Sequence, residues 1–423
     1  MSPVRLVAAT TVALAVSFAR PSAADGYSLL AHEALIDGAW STEIEPILRN
    51  RFPGVSDDDL VAARAFAYGG STIQDIGYYP FGSRFVSNLM HYVRSGDFIQ
   101  TLLRDARDVN EYAFALGALA HYVGDNTGHP EAINRAVPIL FPKLQRKYGP
   151  RVVYDQAPAE HVITEFSLDV IQTAAGRYGP EAYTRFIGFR VPKQLLERAV
   201  RDTYGLELKE LFGDFELALG TYRFSVSQMI PELTKAAWHD KHEEIARLIP
   251  GSDEQSFVYN FSGAEYEQLY GRMYKSPGWF ARFLGILYRL VPKIGPLKPL
   301  SFTTPTPEAE ELFTASLANA RQQYRALLKE ARGGTLRLRN TDFDSGDATH
   351  HGEYRLADET YATLVHRLAA SEFAGTPDAL RRNILQYYRE AGPSSGFAKQ
   401  ERKHSNRLKR ELDLMKKGPY PFS

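Results

Sequence analysis

The sequence predicts an all-α, multi-helical protein with a helical C-terminal extension, and three observations carry that prediction. Tyr112, Ala113, Leu116, Ala120 and Val123 recur at three- and four-residue intervals, the period of a helix buried along one side. Ser56 precedes Asp57, Asp58 and Asp59, a helix N-cap followed by charges that suit the positive end of a helix dipole. Up to Leu248, no pair of alternating strands joined by a hairpin turn competes with the helical pattern.

The elements follow in order. Leu29, His32, Ile36 and Ala39 share one helical face between Ser28 and Trp40, which places His32 against the core. The Ser56-capped helix is expected to run to about Tyr68 and stop at Gly69-Gly70. A glycine-flanked loop holding Asp75 then reaches Pro80. A short helix from Ser83 to Val93 carries His91. The next begins near Asn110 and is expected to fade at Gly128 and Pro130. Pro158 opens a further helix with Glu160 behind it, and Val162, Ile163, Phe166 and Val170 form its apolar stripe. Helical patterning continues from about Arg198 to Leu248.

Beyond residue 250 the composition changes. Arg272 to Lys298 holds six basic residues and no acidic one, interleaved with Trp279, Phe280 and Phe283. It is too short and too interrupted to span a bilayer, and reads either as an interfacial helix or as a core helix with basic ends. A proline-rich linker leads to an amphipathic helix from Glu308 to Ala331, stopped by Gly333-Gly334. Asp342, Asp344, Asp347, His350 and His351 follow without the twelve-residue pattern of an EF-hand, and a polar turn is expected there. Helices from Ala357 to Glu372 and from Asp378 to Glu390 complete this part. The expected organisation is residues 1–24 as a signal peptide, 25–250 as the main helical domain, 251–392 as a helical C-terminal region and 393–423 as a flexible basic tail.

Fifty basic residues offset fifty acidic ones among 423, so no global field draws the chain to nucleic acid, and no stable nucleic-acid partner is expected. Arg5, the apolar run from Leu6 to Ala19 and the small residues Ser22, Ala23 and Ala24 give the signal-peptide reading, with cleavage after Ala24 and a secreted or periplasmic destination. Cysteine is absent. Any metal site therefore has to be built from His, Asp and Glu, which suits zinc in a hydrolytic role.

His121, Asp125 and His129 recur every four residues, so on a helix each step advances the side chain by only about 40° and the three face one way. His161 and Glu165 repeat that spacing. Imidazole and carboxylate are costly to bury without a partner, and a divalent metal suits both; a hydrogen-bonded core histidine beside a solvated aspartate is the alternative. Taken in order, His32, Asp75, His91, His121, Asp125, His129, His161 and Glu165 form a pattern that resembles the zinc-dependent phospholipase C family, whose superfamily includes zinc-dependent single-strand nucleases. The resemblance covers about Tyr27 to Asp169. It implies an all-helical domain with two or three zinc ions in a cleft. Asp75, His91, His121 and Asp125 would hold one ion, Asp125 would bridge to a neighbour held by His32, and His129, His161 and Glu165 would hold the remaining one. It also implies Asp75 as the residue that orients or deprotonates the attacking water. Two departures stand out: Tyr27 occupies the place of a tryptophan that serves family members as mature N-terminus and ligand, and Asp125 to His129 is two residues shorter than usual.

The expected function is a zinc-dependent phosphodiesterase acting on phospholipid, with peripheral membrane contact through residues 272–298. A single-strand nuclease, with Tyr78, Tyr79 and Tyr92 stacking bases, is the enzymatic alternative. A noncatalytic helical protein with structural metals is the other.

Overall fold

The computed structural model describes residues 28–79, 81–175, 177–178, 190–224, 230–252, 301–389 and 401–417. The signal-peptide reading, Tyr27 and the basic aromatic segment 272–298 lie outside them. The described residues are helical and contain no strand; one isolated bridge pairs Thr341 with Ala348.

Helix α1 spans Leu29–Ala39 and passes through a π-helical turn, Trp40–Ile44, into α2, Glu45–Arg51. α3, Asp57–Gly70, starts as expected, because the Ser56 side chain accepts from the Asp59 amide at 3.2 Å and the Asp59 carboxylate accepts from the Ser56 amide at 3.0 Å. α4 is Arg84–Tyr92, α5 Ser95–Asp105 and α6 Val109–Gly128. α7, Asn134–Leu140, and α8, Pro142–Tyr148, precede α9, Pro158–Ala174. Lys193–Tyr204, Leu208–Leu211, Phe215–Phe224 and Ile230–Leu248 form α10 to α13. The C-terminal helices are α14, Pro307–Arg332, α15, Arg355–Ala370, α16, Asp378–Arg389, and α17, Glu401–Lys416.

The centre of the packing is the crossing of α3 and α6, and glycine makes it close. A Cβ on Gly70 would sit 1.9 Å from the Phe114 carbonyl oxygen, and one on Gly117 would sit 1.9 Å from that of Ala67. Gly69 and Gly70 are the last residues of α3 rather than the break after it: Gly70 lets the α3 and α6 backbones touch, and Gly69 admits the Arg190 carbonyl, 2.0 Å from where its Cβ would be. The obstacle is backbone, so no rotamer change can relieve it. Gly117→Ala is expected to cost at least about 1–3 kcal/mol, the usual range for overpacking, as a lowered denaturation midpoint.

The expected loop around Asp75 is also ordered, as a 3-10 helix over Ile73–Tyr78. Gly77 permits it, since a Cβ there would lie 2.1 Å from the Ser83 carbonyl oxygen. α6 ends as an α-helix at Gly128, as expected, but the chain does not leave the helix there. It widens into a π-helical turn, His129–Ile133, and continues as α7. Pro130 falls at the start of that turn, and His129, its first residue, is buried.

α14 lies against α6 and shares its core: Phe313, Leu317, Ala320 and Tyr324 are buried in the same cluster as Leu116 and Ala120, and Tyr324 donates to the Leu116 carbonyl at 2.9 Å. The frayed tail expected after residue 392 is corrected over Glu401–Lys416, which forms α17. Met415 is buried there, and Glu411 pairs with His366 of α15 and with Arg407 at 2.8 Å.

Candidate metal centre

Asp125 is the hub. α6 carries His121 and Asp125 one turn apart on one face, α1 supplies His32, α4 supplies His91, and the 3-10 helix supplies Asp75. Asp125 Oδ1 lies 3.3 Å from His32 Nε2, and its Oδ2 lies 2.9 Å from His121 Nε2 and 3.4 Å from His91 Nε2. His91 Nε2 is also 3.3 Å from Asp75 Oδ1. Gly124 makes room for His32, because a Cβ there would meet the imidazole Nδ1 at 2.7 Å. Asp169 of α9 steadies the approach of α1 by accepting from the Leu30 amide at 2.9 Å and from the Tyr178 hydroxyl at 2.6 Å. Burial pushes its pKa up to about 7 against those donors.

Three groups of donors result: His32, His121 and Asp125; Asp75, His91 and His121; His129, His161 and Glu165. Within each, the ligand atoms lie within 4.8 Å of one another. All eight residues singled out from sequence are brought together, and all are buried, with Asp75 at 4% and Glu165 at 2% alone keeping any exposure.

The ring orientations say more than the clustering. His91 Nδ1 donates to the Ser87 carbonyl at 2.8 Å, His121 Nδ1 to that of Ser71 at 2.9 Å and His161 Nε2 to that of Val152 at 2.6 Å. A carbonyl oxygen can only accept, so in each ring the proton is fixed on the outer nitrogen and the inner one turns toward the carboxylates. Metal-ligating histidines are held in this way. Most inner nitrogen-to-carboxylate distances, 3.3, 3.3, 3.4 and 3.6 Å, exceed a good hydrogen bond. They approach the spacing of about 3.3 Å between two atoms bound to one tetrahedral zinc at about 2.0–2.1 Å. Imidazole nitrogens and carboxylate oxygens without thiolates are a donor set that fits zinc.

Electrostatics sort the histidines into two kinds. Burial lowers His129 to about 3 and His161 to about 4, so both are neutral at pH 7. Burial also opposes charge on His91 and His121, but Asp125 and Asp75 outweigh it; His91 rises to about 10, and His121 rises as well. Asp125 answers them: burial would raise it, yet His121, His32 and His91 hold it well below the ordinary carboxylate range. A ligand nitrogen has to be deprotonated. Zinc added to chelator-stripped protein at pH 7 is therefore expected to release protons from His91 and His121, and His161→Ala should retain that release. An indicator-dye titration checks this, and zinc binding with no proton release would contradict it.

The expectation of a merely polar turn at Asp342–Asp347 is corrected. Asp342 and Asp344 are buried, and the Phe343 ring packs 5.1 Å from that of His91 and 6.0 Å from that of His121. Sequence spacing carried no signal for this, because the partners sit on distant helices. Tyr92, considered for base stacking, is fully buried and donates to Asp344 Oδ2 at 2.8 Å.

Searches among curated proteins and among solved structures returned no match to the chain. Residues 31–214, which include all eight residues of the three groups, match the family model described as zinc dependent phospholipase C.

Proposed function

We propose that the protein is a secreted zinc-dependent phosphodiesterase of phospholipase C type that hydrolyses phospholipid on the glycerol side of the phosphodiester, using two or three zinc ions. The observation that carries this reading is the convergence of five histidines and three carboxylates from four helices, a 3-10 helix and a π-helical turn, with three rings locked by backbone carbonyls so that a nitrogen faces the carboxylates. Bound zinc supplies positive charge for phosphoryl oxygens and acidity for water. The chain does the rest. Asp75, beside His91 and slightly open to solvent, orients a water and accepts its proton. His32, His91 and His121 hold Asp125 as a carboxylate, and burial keeps the pocket dry enough for charge to act strongly.

Phospholipid is preferred over nucleic acid as substrate for two reasons. Tyr92 is occupied with Asp344 instead of facing a base, and residues 272–298 combine basic with aromatic side chains as a bilayer surface would favour. Buried aromatic area there would contribute roughly 25 cal/mol per Å², and each nearby cation about 1 kcal/mol on an anionic surface. Phospholipid vesicles are expected to be hydrolysed, with Trp279→Ala plus Phe283→Ala impairing that reaction while sparing a short-chain soluble phosphodiester. Cleavage of single-stranded DNA with no phospholipid turnover would move the assignment to the nuclease branch, and equal losses on both phosphodiesters would make 272–298 a packing element.

A further inference from the structure

Asp344 lies outside the family-matched segment, on a loop between α14 and α15, yet it is fully buried against the metal centre. Its Oδ1 is 3.4 Å from His129 Nε2. That separation repeats the one between His91 and Asp125, too long for a good hydrogen bond and close to the spacing of two atoms on one zinc, about 3.3 Å. Asp344 Oδ1 and both ring nitrogens of His129 have no hydrogen-bond partner among the described residues. The other carboxylate oxygen is fully engaged: Oδ2 accepts from the Tyr92 hydroxyl at 2.8 Å and from the Tyr354 hydroxyl. Two tyrosines thus fix the plane of the carboxylate and leave Oδ1 facing His129, as hydrogen-bonded ligating carboxylates are fixed.

The loop is built into the fold and is not merely passing. Ser95 Oγ donates to the Thr341 carbonyl at 2.7 Å, Asn134 Nδ2 donates to the Asp344 carbonyl at 2.7 Å, and the Asp344 amide donates to Asp342 Oδ1 at 2.8 Å. Gly96 lets the strand of chain before it settle, since a Cβ there would lie 2.3 Å from the Arg339 carbonyl oxygen. His129 also differs from His91, His121 and His161, whose outer nitrogens are each held by a backbone carbonyl. Its orientation depends on what Asp344 and the metal do.

We infer that Asp344 is a further ligand to the zinc held by His129, so that the C-terminal region completes the metal centre of the phospholipase C-like domain. The inference rests on the metal-centre reading above, and the test separates the two. Full-length parent, Asp344→Asn, His129→Ala and the double variant are equilibrated in zinc-buffered solution, and zinc per chain is measured by elemental analysis, with circular dichroism to confirm the fold. Asn keeps an acceptor for the two tyrosines but places an amide toward His129, so it preserves the loop while removing the ligand. Asp344→Asn is expected to lose the same equivalent of zinc as His129→Ala, or to bind it more than about 100-fold more weakly, beyond the cost of losing a ligand's supporting partner. The double variant should lose no more than either single one. Undiminished zinc in folded Asp344→Asn would overturn the inference, as would a loss of only about 10–100-fold, which assigns Asp344 to orienting His129. Additional loss in the double variant would overturn it too. A parent that binds no transition metal would instead overturn the metal-centre reading itself.

Discussion

Asp125→Ala is expected to strip most of the bound zinc and to abolish phosphodiester hydrolysis. The carboxylate stands between three imidazoles, with His121 at 2.9 Å, His32 at 3.3 Å and His91 at 3.4 Å. Its removal takes a donor from two of the directions in which a metal would be held. It also leaves His91 and His121, whose raised proton affinity comes from Asp125 and Asp75, in a buried pocket with one counter-charge fewer. Breaking a buried pair in this way typically costs about 3–5 kcal/mol, so the metal-free variant should also melt earlier than metal-free parent. Elemental analysis and thermal denaturation read the two effects separately. Full metal content in the variant would remove Asp125 from the centre.

Asp75→Asn separates chemistry from scaffolding. The substitution preserves size and shape in a 3-10 helix whose backbone is held by its packing, so the fold has little reason to change. It removes the negative charge beside His91 and with it the capacity to take a proton from water. Turnover is expected to fall by roughly 10²–10⁴, the usual contribution of a general base, while at least two metals are retained and the melting temperature moves little. Activity equal to the parent would make Asp75 a turn residue.

The helical architecture was legible because helices write their buried faces into the sequence at a fixed period, as α1, α6, α9 and α14 do, and because Ser56 and the aspartates after it mark the start of α3. The eight candidate ligands were legible as an ordered set through the family resemblance, and only part of that set through spacing. His121 with Asp125, and His161 with Glu165, meet one turn apart on their own helices, which spacing alone can show. Asp344 had no such signature, since its partners Tyr92 and His129 lie on α4 and after α6, and its burial comes from how the loop docks. Gly69 and Gly70 were misread for a complementary reason. Sequence shows that glycine lacks a side chain, whereas only the packed structure shows the Phe114 carbonyl filling the space beside Gly70. In α17, Leu408, Leu412 and Met415 recur at helical spacing amid the lysines and arginines. The charge dominated the composition, and the apolar stripe that buries Met415 was outweighed.

The most direct test of the account is the metal content of full-length protein purified without chelator. Two or three zinc ions per chain, removable by chelator together with hydrolytic activity, is the result predicted from the three donor groups. Protein that is folded, free of any transition metal and unchanged in activity by chelator would contradict it.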